Sequence, residues 1–175
     1  SPTNSVVAKR IKRSEGLVFQ SMYQIHKLTT YLLTGKKINF GNYSCLTKED
    51  VKILSNKASL WSSFSGSVKK YIQNLNEINS IRGSRYFGPS KMSLVNLLIH
   101  SFSIIAVFKH QVFLRSTFLI IFLSFLNNLF DMFSIFFSIS LVFLNLLIFV
   151  ISLRENEKAL LESHQNISDK VEITH

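Results

Sequence analysis

"STFLIIFLSFLNNLFDMFSIFFSISLVFLNLLIFVISL", residues 116–153, carries a single formal charge, Asp131. A helix that crosses the apolar core of a bilayer needs about 20 residues, with about 17 as the working minimum. These 38 residues are too many for one such helix and enough for two short ones. Asn and Asp favour tight turns, so "NNLFD" (127–131) is expected to reverse the chain between arms at 116–130 and 132–153. A buried helical pair in a water-soluble core would need polar positions to turn outward. Twelve of the 16 Phe lie between Phe102 and Phe149, and almost no polar face accompanies them. The segment therefore predicts a mostly α membrane protein with a two-helix transmembrane hairpin within 111–153.

Charge sets the orientation. Residues 1–110 hold sixteen Lys and Arg against four acids, while 111–175 hold four against six. The whole surplus of the +10 chain thus precedes the apolar segment. Lys109 and Arg115 flank the hairpin on one side and Arg154 and Lys158 on the other. Lys and Arg prefer the cytoplasmic side, so both termini are expected there. On that topology "NYS" from Asn42 and "NIS" from Asn166 are chance matches to the glycosylation pattern. A surplus this lopsided also points to an anionic partner. Beside a membrane segment, lipid phosphate fits better than nucleic acid, even though Tyr86 and Phe87 interleave with the cations.

Cys45 is the sole cysteine, which excludes a disulfide framework, and the five His lack ligand spacing. The opening "SPTNS" is no secretory signal, and the chain is expected to belong to a longer parent.

Before the apolar segment, "VVAKR" reads as an edge strand and Ser14 as a helix cap. "GLVFQSMYQIHKLTTYLLTG" repeats Phe19, Met22, Tyr23, His26, Leu28, Leu32 and Leu33 near helical period and ends at Gly35. "KINFGNYSCL" and "NLNEINSI" read as short strands. Thr47 and Asp50 have capping-box spacing. Leu60, Trp61, Phe64, Val68 and Tyr71/Ile72 share one helical face. Within 91–110, Ser93, Asn96, His100 and Ser103 form a narrow polar stripe on an otherwise apolar helix. Such a helix suits the membrane interface. The tail, 154–175, reads as a short cytosolic helix and a frayed end.

Two basic stretches bear on function. "AKRIKRSEG" holds Lys9, Arg10, Lys12, Arg13 and Glu15, and "IRGSRYFGPSKMS" (81–93) holds Arg82, Arg85 and Lys91 among Gly83, Gly88 and Pro89. Glycine lets a backbone approach a ligand, and Arg offers a bidentate fork to phosphate. Ser90 is placed to cap the interface helix, whose positive end attracts an anion. Composition allows either a specific phosphate site or a basic collar that only orients the hairpin.

These stretches resemble, in order, the C-terminal half of family 2 glycosyltransferases of the polyprenyl-phosphate type. That group includes bacterial undecaprenyl-phosphate glycosyltransferases and dolichol-phosphate mannose synthase. "KRIKRSEG" resembles the family's R-x-R-x-E loop. "LLTGKKINFGNYSCL" is similar to its L-T-G…G-[ND]-F block, and "IRGSRYFGPSKMS" to R-G-x-R-[YF]-x-G-x-S-K. The resemblance covers most of residues 6–153. It implies that 1–90 is the C-terminal part of a cytosolic GT-A (Rossmann-like α/β) domain. It further implies transfer of a sugar from a nucleotide-sugar to a polyprenyl-phosphate-like lipid, with inversion, at a bacterial inner membrane.

By the same resemblance Arg10, Arg13 and Glu15 lie near the acceptor phosphate. Arg82, Arg85, Ser90 and Lys91 form the basic turn at the membrane, and Gly41, Asn42 and Tyr43 the active-site floor. A divalent metal, Mg or Mn, belongs to the family's Asp-x-Asp motif. This chain has three Asp, none in that motif, and Asn42 stands where many members have Asp. The half that binds donor and metal is missing from it, and the chain alone is not expected to bind a nucleotide-sugar or turn over. Homo-oligomers are compatible with all of this. The other reading is a non-catalytic two-span protein whose basic domain binds anionic lipid or scaffolds a partner.

Overall fold

In a computed structural model the protein is described over residues 4–12, 17–81, 93–125 and 127–165. It is mostly helical with one small sheet. The strands are β1 (Ser5–Lys12), β2 (Phe40–Cys45) and β3 (Leu75–Ile81). The helices are α1 (Leu17–Thr34), α2 (Lys48–Ser55), α3 (Phe64–Tyr71), α4 (Leu94–Ala106), α5 (Lys109–Phe125), α6 (Asn127–Ser152) and α7 (Glu157–Gln165).

The sheet order is β2-β1-β3, with β1 antiparallel to β2 and parallel to β3. "VVAKR" is therefore the central strand rather than an edge. Its cations cluster at its C-terminal end, which leaves buried Ser5 and Val7 to sit between two neighbours. Val7 and Phe40 from the sheet pack with Leu54 of α2, Val68 of α3 and Ile72 just after it.

Thr47 caps α2 by accepting from the Asp50 amide at 3.2 Å. The second half of the expected capping box is absent. Ser5, fully buried, stands in its place: its Oγ accepts from the Thr47 amide at 3.0 Å and donates to Asp50 Oδ2. One hydroxyl thus ties the start of β1 to the start of α2. Removing it leaves an amide and a carboxylate oxygen without that partner, which costs about 1–3 kcal/mol. Ser5→Ala is expected to lower thermal stability by that order, read by far-UV circular dichroism in detergent, with the fold unchanged.

Trp61 does not share the inward face foreseen for it. A 3-10 turn (Ala58–Trp61) and the Ser63 cap of α3 interrupt the helical phase, and Trp61 stays 46% exposed. Helix α1 departs from expectation more sharply. Thr30 and Thr34 are buried, whereas Ile25, Leu28 and Leu32 face outward. The buried hydroxyls find local partners, Thr34 Oγ1 donating to the Thr30 carbonyl at 2.6 Å and Thr30 Oγ1 lying 3.4 Å from His26 Nδ1.

The interface helix is shorter than expected at both ends. Ser93, not Ser90, is its cap, accepting from the Asn96 amide at 3.2 Å, and α4 ends at Ala106 rather than near His110. Asn96 and His100 are exposed, but Ser103 is buried and donates to the Ile99 carbonyl at 2.8 Å, so the polar stripe divides. At Val107 and Phe108 the chain bends by 89° into α5. This corner is a core of its own: Ile105, Ala106, Val107, Phe108 and Val112 cluster with Ile148 of α6.

Helix α6 starts at Asn127, so "NNLFD" is helical rather than a turn. Asn suits a helix start as well as a turn. The buried positions of α6, Ser134, Leu141, Ile148 and Ser152, recur at seven-, seven- and four-residue intervals. They give α6 one narrow seam, and near it the half-buried Asn145 accepts from Ser116 Oγ of α5 at 3.0 Å. Much of the remaining described surface of α6 is exposed, with Met132, Phe133 and Phe136 more than 70% so. The run Met132–Ser163 is long and apolar enough to cross a membrane, and only 17% of its most apolar window is buried. Helix α5, 17 residues and about 25 Å long, carries Lys109 and Arg115 in its first two turns. It reaches the length and apolarity of a span only together with α4, across the bend.

Asn156 caps α7 by accepting from the Ala159 amide at 3.1 Å. The tail helix thus forms where it was expected, and the frayed end, 166–175, lies outside the described residues.

Candidate functional site

The sheet topology sets the C-terminal ends of β1 and β3 and the first residues of β2 at one end. In the parallel pair Arg10 lies opposite Ser80 and Lys12 opposite Ile81. The two basic stretches, about 70 positions apart in sequence, therefore continue from the C-terminal ends of adjacent strands. Strand β2 runs the other way, with its first residue, Phe40, opposite Lys9. Gly41 and Asn42 thus enter the sheet beside the same end. Ligands of open α/β sheets bind outside the carboxyl ends of parallel strands.

Of the predicted site residues, Arg10 is placed in β1 by its backbone. Asn42 and Tyr43 are exposed in β2, Tyr43 to 78%. Arg13, Glu15, Arg82, Arg85, Ser90 and Lys91 lie outside the described residues, as does the cap expected of Ser14. Lys9 pairs with Glu77 across β1 and β3 at 3.2 Å. Among the described residues no group of three His, Cys, Asp or Glu side chains could hold a metal, and the described residues do not by themselves fit a metal centre. Cys45 is exposed and unbridged.

A second set of polar contacts joins this unit to the apolar helices. Lys70 Nζ of α3 donates to the Val107 carbonyl at the α4–α5 corner, at 2.7 Å. Arg115 Nη1 of α5 donates to the Leu32 carbonyl in the last turn of α1, at 3.0 Å. Lys109, at the start of α5, meets Glu155 past the end of α6 at 2.9 Å. Cations at helix C-termini satisfy carbonyls that lack helical partners and complement the dipole. Lys109 and Arg115, foreseen as flanking charges that orient a hairpin, are thus also structural ties. The Lys109–Glu155 contact, the Ser116–Asn145 bond and the packing of Val112 with Ile148 set α5 and α6 antiparallel.

Ser5, Lys70 and Glu155 were not singled out from sequence as structural partners. Their partners are 37 to 46 positions away, and no local spacing signals them. Comparison with protein families, with characterised proteins and with solved structures finds no match to the chain.

Proposed function

We propose that the chain is the membrane-anchored, acceptor-side part of a family 2 glycosyltransferase that passes a sugar to a polyprenyl-phosphate-like lipid. The observation that supports this reading is that β1 and β3, after which the two basic stretches follow in sequence, end side by side, with Gly41 and Asn42 entering the sheet beside the same end. The order and spacing of the three family-like blocks support it further. In this reading α5 and α6 form a two-helix hairpin in a bacterial inner membrane, with the sheet and both termini on the cytoplasmic side. The sheet is the last part of a GT-A domain whose donor half, with its divalent metal, lies in sequence outside this chain.

The chemistry asked of this part is positioning and charge. A lipid-phosphate oxygen attacks the anomeric carbon of the sugar and forms the new C–O bond. The bond to the nucleoside diphosphate breaks, the leaving group keeps the electron pair, and the configuration inverts. Arg10, Arg13, Arg82, Arg85 and Lys91 offset phosphate charge, Glu15 and Ser90 belong to the same basic segments, and Asn42 lines the floor without acting as a carboxylate base. Fixed cations in a water-poor setting act with little reorganisation during reaction.

The test uses the full chain in nanodiscs, titrated with undecaprenyl phosphate and with undecaprenol. The phosphate is expected to bind more tightly. Arg85→Ala is expected to weaken that binding at least about tenfold, since a charge-assisted hydrogen bond contributes about 1.5–3 kcal/mol. Association with phosphatidylglycerol vesicles should be unchanged. Equal loss of both would favour the other reading, a two-span protein whose basic face binds anionic lipid without catalysis.

A further inference from the structure

Helix α1 is inside out. Its protein-facing side carries the buried Thr30 and Thr34 with the half-buried His26 and Tyr23, and only Leu33 near its end packs on the apolar core at the α4–α5 corner. Its outward side carries Ile25 at 64%, Leu28 at 60% and Leu32 at 61% exposure, one stripe at helical spacing, with the exposed Tyr31 at its margin. A helix that faces water shows the reverse arrangement. No described residue covers the stripe.

Three observations say what does. First, the C-terminus of α1 is tied to Arg115, and the apolar run of α5 begins at the next residue, Ser116. The lower end of the stripe therefore sits level with the first turn of the apolar helices, whose Phe118 and Phe122 are also exposed. Second, cations border the stripe. Lys36 and Lys37 are both exposed just past the end of α1, where the stripe ends. Third, one of these lysines is held over an aromatic ring at the stripe's margin, Lys37 at 5.5 Å from the centre of Tyr31. Long cationic side chains beside tyrosines at the edge of an apolar face suit the headgroup layer, where stems lie in apolar surroundings and charges reach phosphate.

We propose that α1 lies in the cytoplasmic leaflet of an anionic bilayer, with Ile25, Leu28 and Leu32 below the headgroups and Lys36 and Lys37 among them. The inference rests on the membrane reading of α6 and adds α1, tied to α5 through Arg115, as a second anchoring surface. It makes the sheet end from which the basic stretches continue part of a unit held to the membrane by α1 as well as by α5 and α6.

The experiment places one spin label at a time on the full chain in a Cys45→Ser background. Leu28→Cys and Leu32→Cys probe the stripe, Phe143→Cys the exposed side of α6, and Lys52→Cys the exposed side of α2. The protein is reconstituted in vesicles of phosphatidylcholine and phosphatidylglycerol. Collision of each label with oxygen, which concentrates in lipid, is compared with collision with a water-soluble nickel chelate. Labels at 28 and 32 are expected to favour oxygen several-fold over the label at 52, and to lie shallower than the label at 143. Labels at 28 and 32 that behave like 52 overturn the proposal. So do labels shielded from both reagents, which would mean that a protein surface covers the stripe. A lipid-exposed label at 143 in either case leaves the membrane reading standing, whereas a water-exposed label at 143 removes that reading itself.

Discussion

Lys109→Ala is expected to destabilise the junction of α5 and α6 by about 3 kcal/mol. The Glu155 side chain is only 9% exposed and that of Lys109 25%. One carboxylate oxygen, Oε1, is already buried without a hydrogen-bond partner among the described residues, and Oε2 takes its bond from Lys109 at 2.9 Å. Taking away the ammonium leaves a buried carboxylate without its counter-ion, and breaking a buried pair from one side costs about 3–5 kcal/mol. The lower end applies because Lys109 retains contact with solvent. A loss of this size corresponds to a fall in the unfolding midpoint on the order of 10 °C, measured by circular dichroism in detergent. Glu155→Gln in the Lys109→Ala background should recover much of it, since a neutral amide removes the uncompensated charge. If the double variant is no more stable than Lys109→Ala, the pair does not hold the junction in the way described.

The particular residues show which features were legible in the sequence. The apolar character of 116–153 and the short strands depend on composition and local period, and α6, β2 and β3 appear where those signals lie. Gly35 ends α1 as expected, with φ of +72° and its amide bonded to the Tyr31 carbonyl at 2.7 Å. The helix break between α5 and α6 was misplaced because Asn127 serves a helix start as readily as a turn. Which face of α1 turns inward was not legible, for a deeper reason. Periodicity locates an apolar stripe but not the medium it faces, and the usual assumption of a watery exterior turns Leu28 and Leu32 the wrong way. The adjacency of the strand ends that precede the two basic stretches was not legible either. It follows from the parallel pairing of β1 with β3, a contact between segments separated by almost the whole α/β unit.

Gly35→Val is expected to cost about 3 kcal/mol through two separable effects. Left-handed backbone costs a residue with a Cβ about 1–2 kcal/mol, and a β-branched side chain lies at the upper end. The second effect is contact. A Cβ at this position would meet the Arg115 guanidinium, 2.9 Å from its Cζ. Arg115 can swing aside, but it then gives up the Leu32 carbonyl, a bond worth about 1 kcal/mol at an exposed site. Gly35→Asn distinguishes the two, because Asn tolerates left-handed backbone while still carrying a Cβ. It should lose about 1 kcal/mol, close to the loss of Arg115→Ala alone. In the Arg115→Ala background Gly35→Asn should then cost little more, because the bond it displaces is already gone, and neighbours that share one interaction are not additive. Unfolding midpoints of the two single variants and the double variant in detergent measure this. Full additivity would mean that Gly35 and Arg115 act independently. Sub-additivity would make the pair the hinge pin between α1 and α5, and a label at Leu28 should then change its depth in the bilayer when Arg115 is replaced.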